Sequence, residues 1–192
     1  MKIKLKNVRL SFPQLFVPKG IRQKDGTMSE PKYTCSLLFP PGSPQHKIIS
    51  DACREAAKEK WPSAYEVHLK AMKATDKLCL HDGDLKTSQG YPGNLYVNAS
   101  SKDQPDLRDA NAARLGPNNA KKLYGGCYVD AILSIWGQDN QFGKRINAEI
   151  IGIQFRADGD AFRPGEVATD DDFEDLSDNG EDESVGAGAG LL

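Results

Sequence analysis

Two aspartates have the spacing of a catalytic metal site. Asp82 and Asp84 lie two residues apart, and a pair of this kind could hold a divalent ion, as in nucleases. Further carboxylates could complete the coordination: Asp103, Asp106, Asp109 and Glu149. The alternative is that Asp82-Gly83-Asp84 forms a tight turn, because Asp bonds to nearby backbone and Gly allows a positive φ. The turn needs no further assumption and is the favoured interpretation.

Two other patterns indicate chemistry only weakly. Cys79 and His81 could share a zinc ion with His46 or His68, yet no second pair has ligand spacing. The run 137–145 is similar to a phosphate-binding loop, but five residues separate its glycines instead of four, and Arg replaces the Ser or Thr. We therefore expect no catalytic residue, no metal and no cofactor, and a binding protein rather than an enzyme.

Aromatic and basic residues recur close together, which is what a single-stranded nucleic acid requires. Its phosphates need a positive track, and its unstacked bases need exposed flat rings. Strand phase favours Tyr96 and Trp136, because burial of their apolar neighbours turns both rings to the opposite face. Any of these rings could instead belong to a second small core, and Tyr33 in particular is in phase with an apolar run. The predicted DNA-binding residues are Lys32, Tyr33, Tyr91, Tyr96, Lys102, Lys121, Lys122, Tyr124, Trp136, Phe142, Lys144 and Arg145.

The net charge of -2 conceals two opposed segments. From Glu166 to the C-terminus there are ten acidic residues and no Lys or Arg. The preceding body holds all 25 basic residues and 17 of the 27 acidic ones, so it carries a net charge of +8. A basic body of this kind favours a polyanionic partner.

Periodicity predicts the elements that must position these residues. A strand with a bulge spans Ile3 to Leu10, a basic loop covers 11–31, and a second strand follows over 32–39. A helix is expected after Ser43-Pro44, an N-cap followed by proline, and ends near Trp61. Residues 64–80 fit either a strand or a helix. Short strands at 78–80 and 95–97 precede an irregular region over 100–126 and a hairpin of strands 127–136 and 144–155.

These elements predict a β-rich α+β fold, an OB-fold-like five-stranded barrel with insertions and one main helix. The domain covers 1–165, and the acidic segment 166–192 is expected to be a disordered tail, because it has too few apolar residues to offset the entropy of ordering. The four cysteines have no paired spacing and are expected to be free thiols. No leader or membrane span is expected, which predicts a cytoplasmic protein.

Five sequence blocks resemble the phage-encoded single-stranded-DNA-binding proteins, and the resemblance spans most of residues 2–175. The block Tyr96 to Lys102 contains the most specific part, Asn-Ala-Ser-Ser-Lys over Asn98 to Lys102. The others are Lys6 to Phe12, Leu80 to Asp84, Tyr124 to Tyr128 and Asp170 to Phe173. The resemblance implies an OB-fold, sequence-independent binding of single strands in phage DNA replication or recombination within a bacterial host cell, and no catalytic residues.

The resemblance also implies that the acidic C-terminus recruits phage or host replication and recombination proteins. Several such tails close on a terminal Phe, whereas here Phe173 is internal and the chain ends in a leucine pair. The tail is long enough to reach the DNA-binding groove and to compete with DNA there. The candidate partner-binding residues are Asp170, Asp171, Asp172, Phe173, Leu191 and Leu192. A homodimer is compatible with the sequence, and the alternatives are a metal-dependent nuclease using Asp82 and Asp84 or a DNA-mimic protein-interaction module.

Overall fold

The computed structural model describes residues 1–22 and 26–162. The domain boundary expected after residue 165 and the acidic tail therefore lie outside the described residues. In the described part, no helix is long and apolar enough to cross a membrane.

Seven strands form one sheet in the order β3-β4-β2-β1-β6-β7-β5, and all pairs are antiparallel except β5 with β7. The strands are β1 (Lys2–Lys19), β2 (Lys32–Phe39), β3 (Leu80–Asp82), β4 (Leu95–Ser101), β5 (Asp106–Arg108), β6 (Tyr128–Asn140) and β7 (Gly143–Ala157). The β-rich prediction is confirmed. Among the described residues the terminal strands β3 and β5 do not pair, so the sheet is open and has seven strands, where a five-stranded barrel was expected.

The first strand carries the predicted bulge and is longer than predicted. Its pairing with β6 slips between Leu5 and Val8, where Asn7 has a φ of 54°. The loop expected from residue 11 is wrong, because β1 continues to Lys19 and pairs with β2 through Gln14 and Lys19. Pro13 and Pro18 are tolerated there because the pairing of β1 with β2 is irregular at this end. Proline has no backbone N–H, and at a bulge not every N–H is needed for pairing.

Two helices lie beside the sheet: α1 (Pro44–Lys60) and α2 (Tyr65–Ala74). The predicted cap is confirmed, since Ser43 Oγ accepts a hydrogen bond from the backbone N–H of His46 at 3.3 Å. α1 buries Ile49, Ala52 and Ala56 in the main core. Residues 64–80, which by sequence fitted either a strand or a helix, are helical over α2, and Met72 of this helix joins the same core.

The C-terminal hairpin is confirmed, and its strands are longer than predicted. β6 and β7 pair from Tyr128–Ala157 to Asn140–Gly143, which leaves only a two-residue turn. Gly143 closes this turn with a φ of 96°, a value that side-chain-bearing residues rarely adopt. The turn thus places Phe142 at the tip of the hairpin.

All four cysteines are buried free thiols. Burial raises the pKa of Cys35 to about 12 and that of Cys127 to about 11. The Sγ atoms of Cys53 and Cys79 lie 3.8 Å apart. These side chains fill the core as small apolar groups.

Candidate nucleic-acid interface

A groove runs along the outward faces of β4 and β7, where these strands approach each other without pairing. It has two compartments, which share the lining residues Ser100, Asn147 and Ala148. We call the two together the interstrand groove.

The Trp136 compartment has a volume of about 780 Å³. Four predicted DNA-binding residues meet there: Lys32, Lys102, Trp136 and Phe142. The Phe12 compartment, of about 500 Å³, contains a fifth, Arg145, together with Phe12, Lys77 and His81. The structure therefore brings together residues from β1, β2, β3, β4, β6 and β7 that are far apart in the sequence.

Alternation along the strands produces the lining. On β7, Ile146, Ala148 and Ile150 are buried, although Ile146 and Ala148 also line the groove, and alternation turns Arg145 and Asn147 toward its polar side. On β4, Val97 and Ala99 are buried while Asn98 and Ser100 are turned outward. A period of two thus supplies the polar residues of the groove from one face of these strands, and a few buried apolar residues complete its lining.

Two rings in the Trp136 compartment are exposed. Trp136 is 43% exposed and has the outward phase predicted for it, since Ile135 and Leu133 are buried. Phe142 is 71% exposed at the tip of the β6–β7 hairpin. Both rings are available for stacking on an unpaired base.

Most basic groups in the groove are free to meet phosphates. Among the described residues, Lys32, Lys77 and Arg145 form no ion pair. Lys102 Nζ lies 2.7 Å from Glu30 Oε2, and this hydrogen bond with its charge lowers the pKa of Glu30. Glu149 also lines the Trp136 compartment, so its carboxylate partly offsets the positive charge of the lysines there.

Tyr91 and Tyr96 do not present faces to this groove. They form a second small core with Leu38, against which Phe162 packs, and they are 2% and 6% exposed. Tyr96 has the predicted phase, but this core covers that face of the sheet, and burial raises its pKa. The prediction that these two rings stack on bases is therefore corrected, and they belong to the core.

Five further predicted residues lie outside the groove lining. Lys144 Nζ bonds to Asp139 Oδ2 at 2.6 Å and lies 5.6 Å from the centre of the Trp61 ring. The Tyr124 hydroxyl, which has one proton to donate, lies 3.0 Å from each of two acceptors, Asp158 Oδ1 and the Gly159 carbonyl oxygen. The remaining three line neither compartment: Tyr33, Lys121 and Lys122.

Comparison with known proteins assigns the family. The family described as "Enterobacter phage Enc34, ssDNA-binding protein" matches residues 1–185. The chain belongs to this family. It is 38% identical over 180 residues to protein p50 of Acyrthosiphon pisum secondary endosymbiont phage 1, a match that covers 92% of this chain and 95% of the relative.

Solved structures agree with the Enc34 family assignment. The single-stranded DNA-binding protein from bacteriophage Enc34 in complex with ssDNA has a TM-score of 0.71 and 33% identity, covering 84% of this chain and 89% of that chain. The gp2.5 single-stranded DNA binding protein of bacteriophage T7 has a TM-score of 0.56 at 10% identity, covering 88% and 98%, and shares the fold alone. The resemblance inferred from the sequence is confirmed.

Three of the blocks that carried the resemblance converge on the interstrand groove, and one of them is Leu80 to Asp84, which contributes His81. Asn98 to Lys102 contributes to both compartments. The block Lys6 to Phe12 ends on a ring that lines the second one. The most specific sequence signal of the Enc34 family resemblance therefore lies in the groove.

Sequence reasoning missed Phe12 as a candidate site residue. It is 64% exposed and has a φ of 45°, at an irregularity in the β1–β2 pairing. This conformation is costly for a bulky residue, about 1–3 kcal/mol, and Pro13 restricts the preceding residue further. The available signal was its position as the last residue of a resembling block and directly before a proline.

The aspartate pair forms the predicted turn. Asp82 Oδ1 accepts the N–H of Asp84 at 3.0 Å, and Asp84 Oδ1 accepts the N–H of Gly93 at 2.6 Å. Gly83 does not have the positive φ expected of it; it is needed because the backbone oxygens of Tyr91 and Asn94 approach too closely for a Cβ. Within residues 1–22 and 26–162, no three His, Cys, Asp or Glu side chains converge as a metal site would require.

Proposed function

We propose that this chain binds single-stranded DNA along the interstrand groove without sequence preference. Trp136 and Phe142 stack on bases, and Lys32, Lys77, Lys102 and Arg145 contact phosphates. The observation that carries the proposal is the meeting in one groove of two exposed rings and four cations, of which only Lys102 has an ion-pair partner among the described residues, in a family with a member solved in complex with ssDNA.

The chemistry of the groove suits a single strand more than a duplex. A stack of a base on an aromatic ring contributes about 1–3 kcal/mol and tolerates any base, but it requires a base that is already unstacked. The cations contribute a term that depends on salt and not on sequence. A duplex offers the phosphates and withholds the base faces, so it lacks the stacking term.

The proposal extends to a role in phage DNA replication or recombination in the host cell. The acidic segment from Glu166 would recruit phage or host proteins, through Asp170, Asp171, Asp172 and Phe173 or through Leu191 and Leu192. The same segment would compete with DNA for the groove. The charge distribution supports this competition, because ten acidic residues and no Lys or Arg follow a body with a net charge of +8. Two copies could also associate as a homodimer.

Anisotropy of a fluorescein-labelled dT oligomer tests the binding function. The full chain should bind the oligomer, and unlabelled single strands of mixed sequence should compete far better than the matched duplex. Equal competition by the duplex would contradict the stacking argument. Parallel incubations with magnesium or EDTA separate a nuclease, which would shorten the oligomer only when magnesium is present.

A full-chain variant tests competition by the tail. Asp170→Asn, Asp171→Asn and Asp172→Asn together should raise affinity for the oligomer most at low salt, because they remove charge without shortening the chain. An unchanged or weaker affinity would refute self-competition and leave the binding proposal standing.

A further inference from the structure

The Phe12 compartment contains an exposed aromatic ring, which phosphate binding does not require. Phe12 lies 6.2 Å from Tyr91 between ring centroids, with 41° between the planes. Tyr91 is buried, and its hydroxyl donates to Ser11 Oγ at 3.3 Å. Phe12 therefore has a fixed neighbour on one side, while most of its own surface remains exposed.

The backbone places this ring there at a cost. The left-handed φ of Phe12 lies at the irregularity between Ser11 and Gln14, and bulges of this kind redirect a side chain. A conformation that is unfavourable for phenylalanine persists only where the surroundings impose it, and such positions cluster at binding sites. Burial offers no compensation, because the side chain is exposed.

Two amides in the same compartment are oriented by their neighbours. Asn98 Oδ1 accepts a hydrogen bond from Ser36 Oγ at 2.7 Å, so its Nδ2 is left to donate. Asn147 Nδ2 donates to Gln138 Oε1 at 2.8 Å, so its Oδ1 is left to accept. Every base has both donors and acceptors along its edge, and these can be read when the base is unpaired. One fixed donor and one fixed acceptor can therefore engage any base without selecting one.

We propose that the Phe12 compartment is a base-binding subsite, in which Phe12 stacks on one unpaired base and Asn98 and Asn147 bond to its edge. The inference rests on the proposed function and deepens it. The chain then requires a base at this position in addition to the phosphate backbone, and it accepts any of the four. Arg145 lines the same compartment and contacts the adjoining phosphate.

Binding of a dT oligomer and of an abasic oligomer of equal length, measured with the full chain, tests the subsite. Phe12→Gly and Phe12→Asn remove the ring while tolerating a positive φ. Both should lose about 5- to 150-fold in affinity for the dT oligomer and nothing for the abasic one. Phe12→Trp should retain binding. Val17→Ala, an exposed apolar position on the same strand, is the control and should bind like the wild type.

Urea unfolding of the same variants separates a lost ring from a damaged fold. Phe12→Gly and Phe12→Asn should unfold at or above the wild-type midpoint, because the lost side chain is exposed and both residues relieve the strain of the positive φ. Equal losses on both oligomers, or wild-type affinity in Phe12→Gly while Trp136→Ala binds weakly, would overturn the subsite and leave the groove intact. A wild-type chain that binds neither oligomer would overturn the proposed function as well.

Discussion

Removal of two groove cations should halve the salt dependence of DNA binding. Four basic side chains line the interstrand groove: Lys32, Lys77, Lys102 and Arg145. If each meets one phosphate, the log-log slope of affinity against salt is about -2.8, and affinity falls about 50-fold between 50 and 200 mM salt. In the double variant Lys32→Ala with Arg145→Ala, the slope should be about -1.4 and the loss about 7-fold.

Anisotropy titrations of a labelled dT oligomer over this salt range measure both slopes. The matched control is Lys121→Ala with Lys122→Ala, which removes the same charge from exposed residues outside the groove. Its slope should stay near -2.8, although overall affinity at low salt can fall slightly with net charge. A reduced slope in the control together with an unchanged slope in the groove variant would refute this DNA path.

Three further substitutions test the Glu30–Lys102 ion pair, the buried Asp130 carboxylate and the α1 cap. Glu30→Gln should strengthen oligomer binding by freeing Lys102, with the gain disappearing at high salt, as binding titrations would show. Burial raises the pKa of Asp130, but the Asn7 N–H and the Arg156 and Lys4 charges outweigh it and lower the pKa overall. Asp130 therefore stabilises the fold above its unfolded pKa near 3.9, and this contribution is lost as the pH falls through the lower folded value. Asp130→Asn should cost about 1.5–3 kcal/mol in urea unfolding at pH 7, and the difference from wild type should shrink toward pH 3. Ser43→Ala should cost about 0.5–2 kcal/mol in the same assay, while Ser43→Thr should cost less, because only the former loses the α1 cap.

The sequence predicted correctly those structural elements that depend on a few neighbouring residues. The helix cap at Ser43, the β1 bulge and the β6–β7 hairpin each follow from a few adjacent residues. The continuation of β1 past Pro13 was not predictable in this way, because its pairing partner, β2, lies further along the chain and the prolines argue against a strand. Closure of the sheet into a barrel likewise was not predictable from local patterns, because it depends on the twist and pairing of strands far apart in the sequence.

The sequence predicted which residue types form the site, but not which of these residues the fold brings together. Strand phase placed Trp136 correctly, because its neighbours on β6 alternate between buried and exposed. The same phase argument failed for Tyr96, because Tyr91 and Phe162 cover its face from distant parts of the chain. Lys144 is adjacent to Arg145 and yet lies outside the groove, since successive side chains on a strand point to opposite faces.

Tryptophan fluorescence reports whether single-stranded DNA passes along the interstrand groove. Trp136 is 43% exposed in the groove, whereas Trp61 is 9% exposed and its indole N–H donates to Asp139 Oδ2 at 3.0 Å. A dT oligomer added to the full chain at low salt should quench the emission. In Trp136→Phe, where Trp61 remains as the reporter, this quenching should largely disappear while anisotropy still reports binding. Full quenching in Trp136→Phe, or binding by the wild type without quenching, would contradict a DNA path through the interstrand groove.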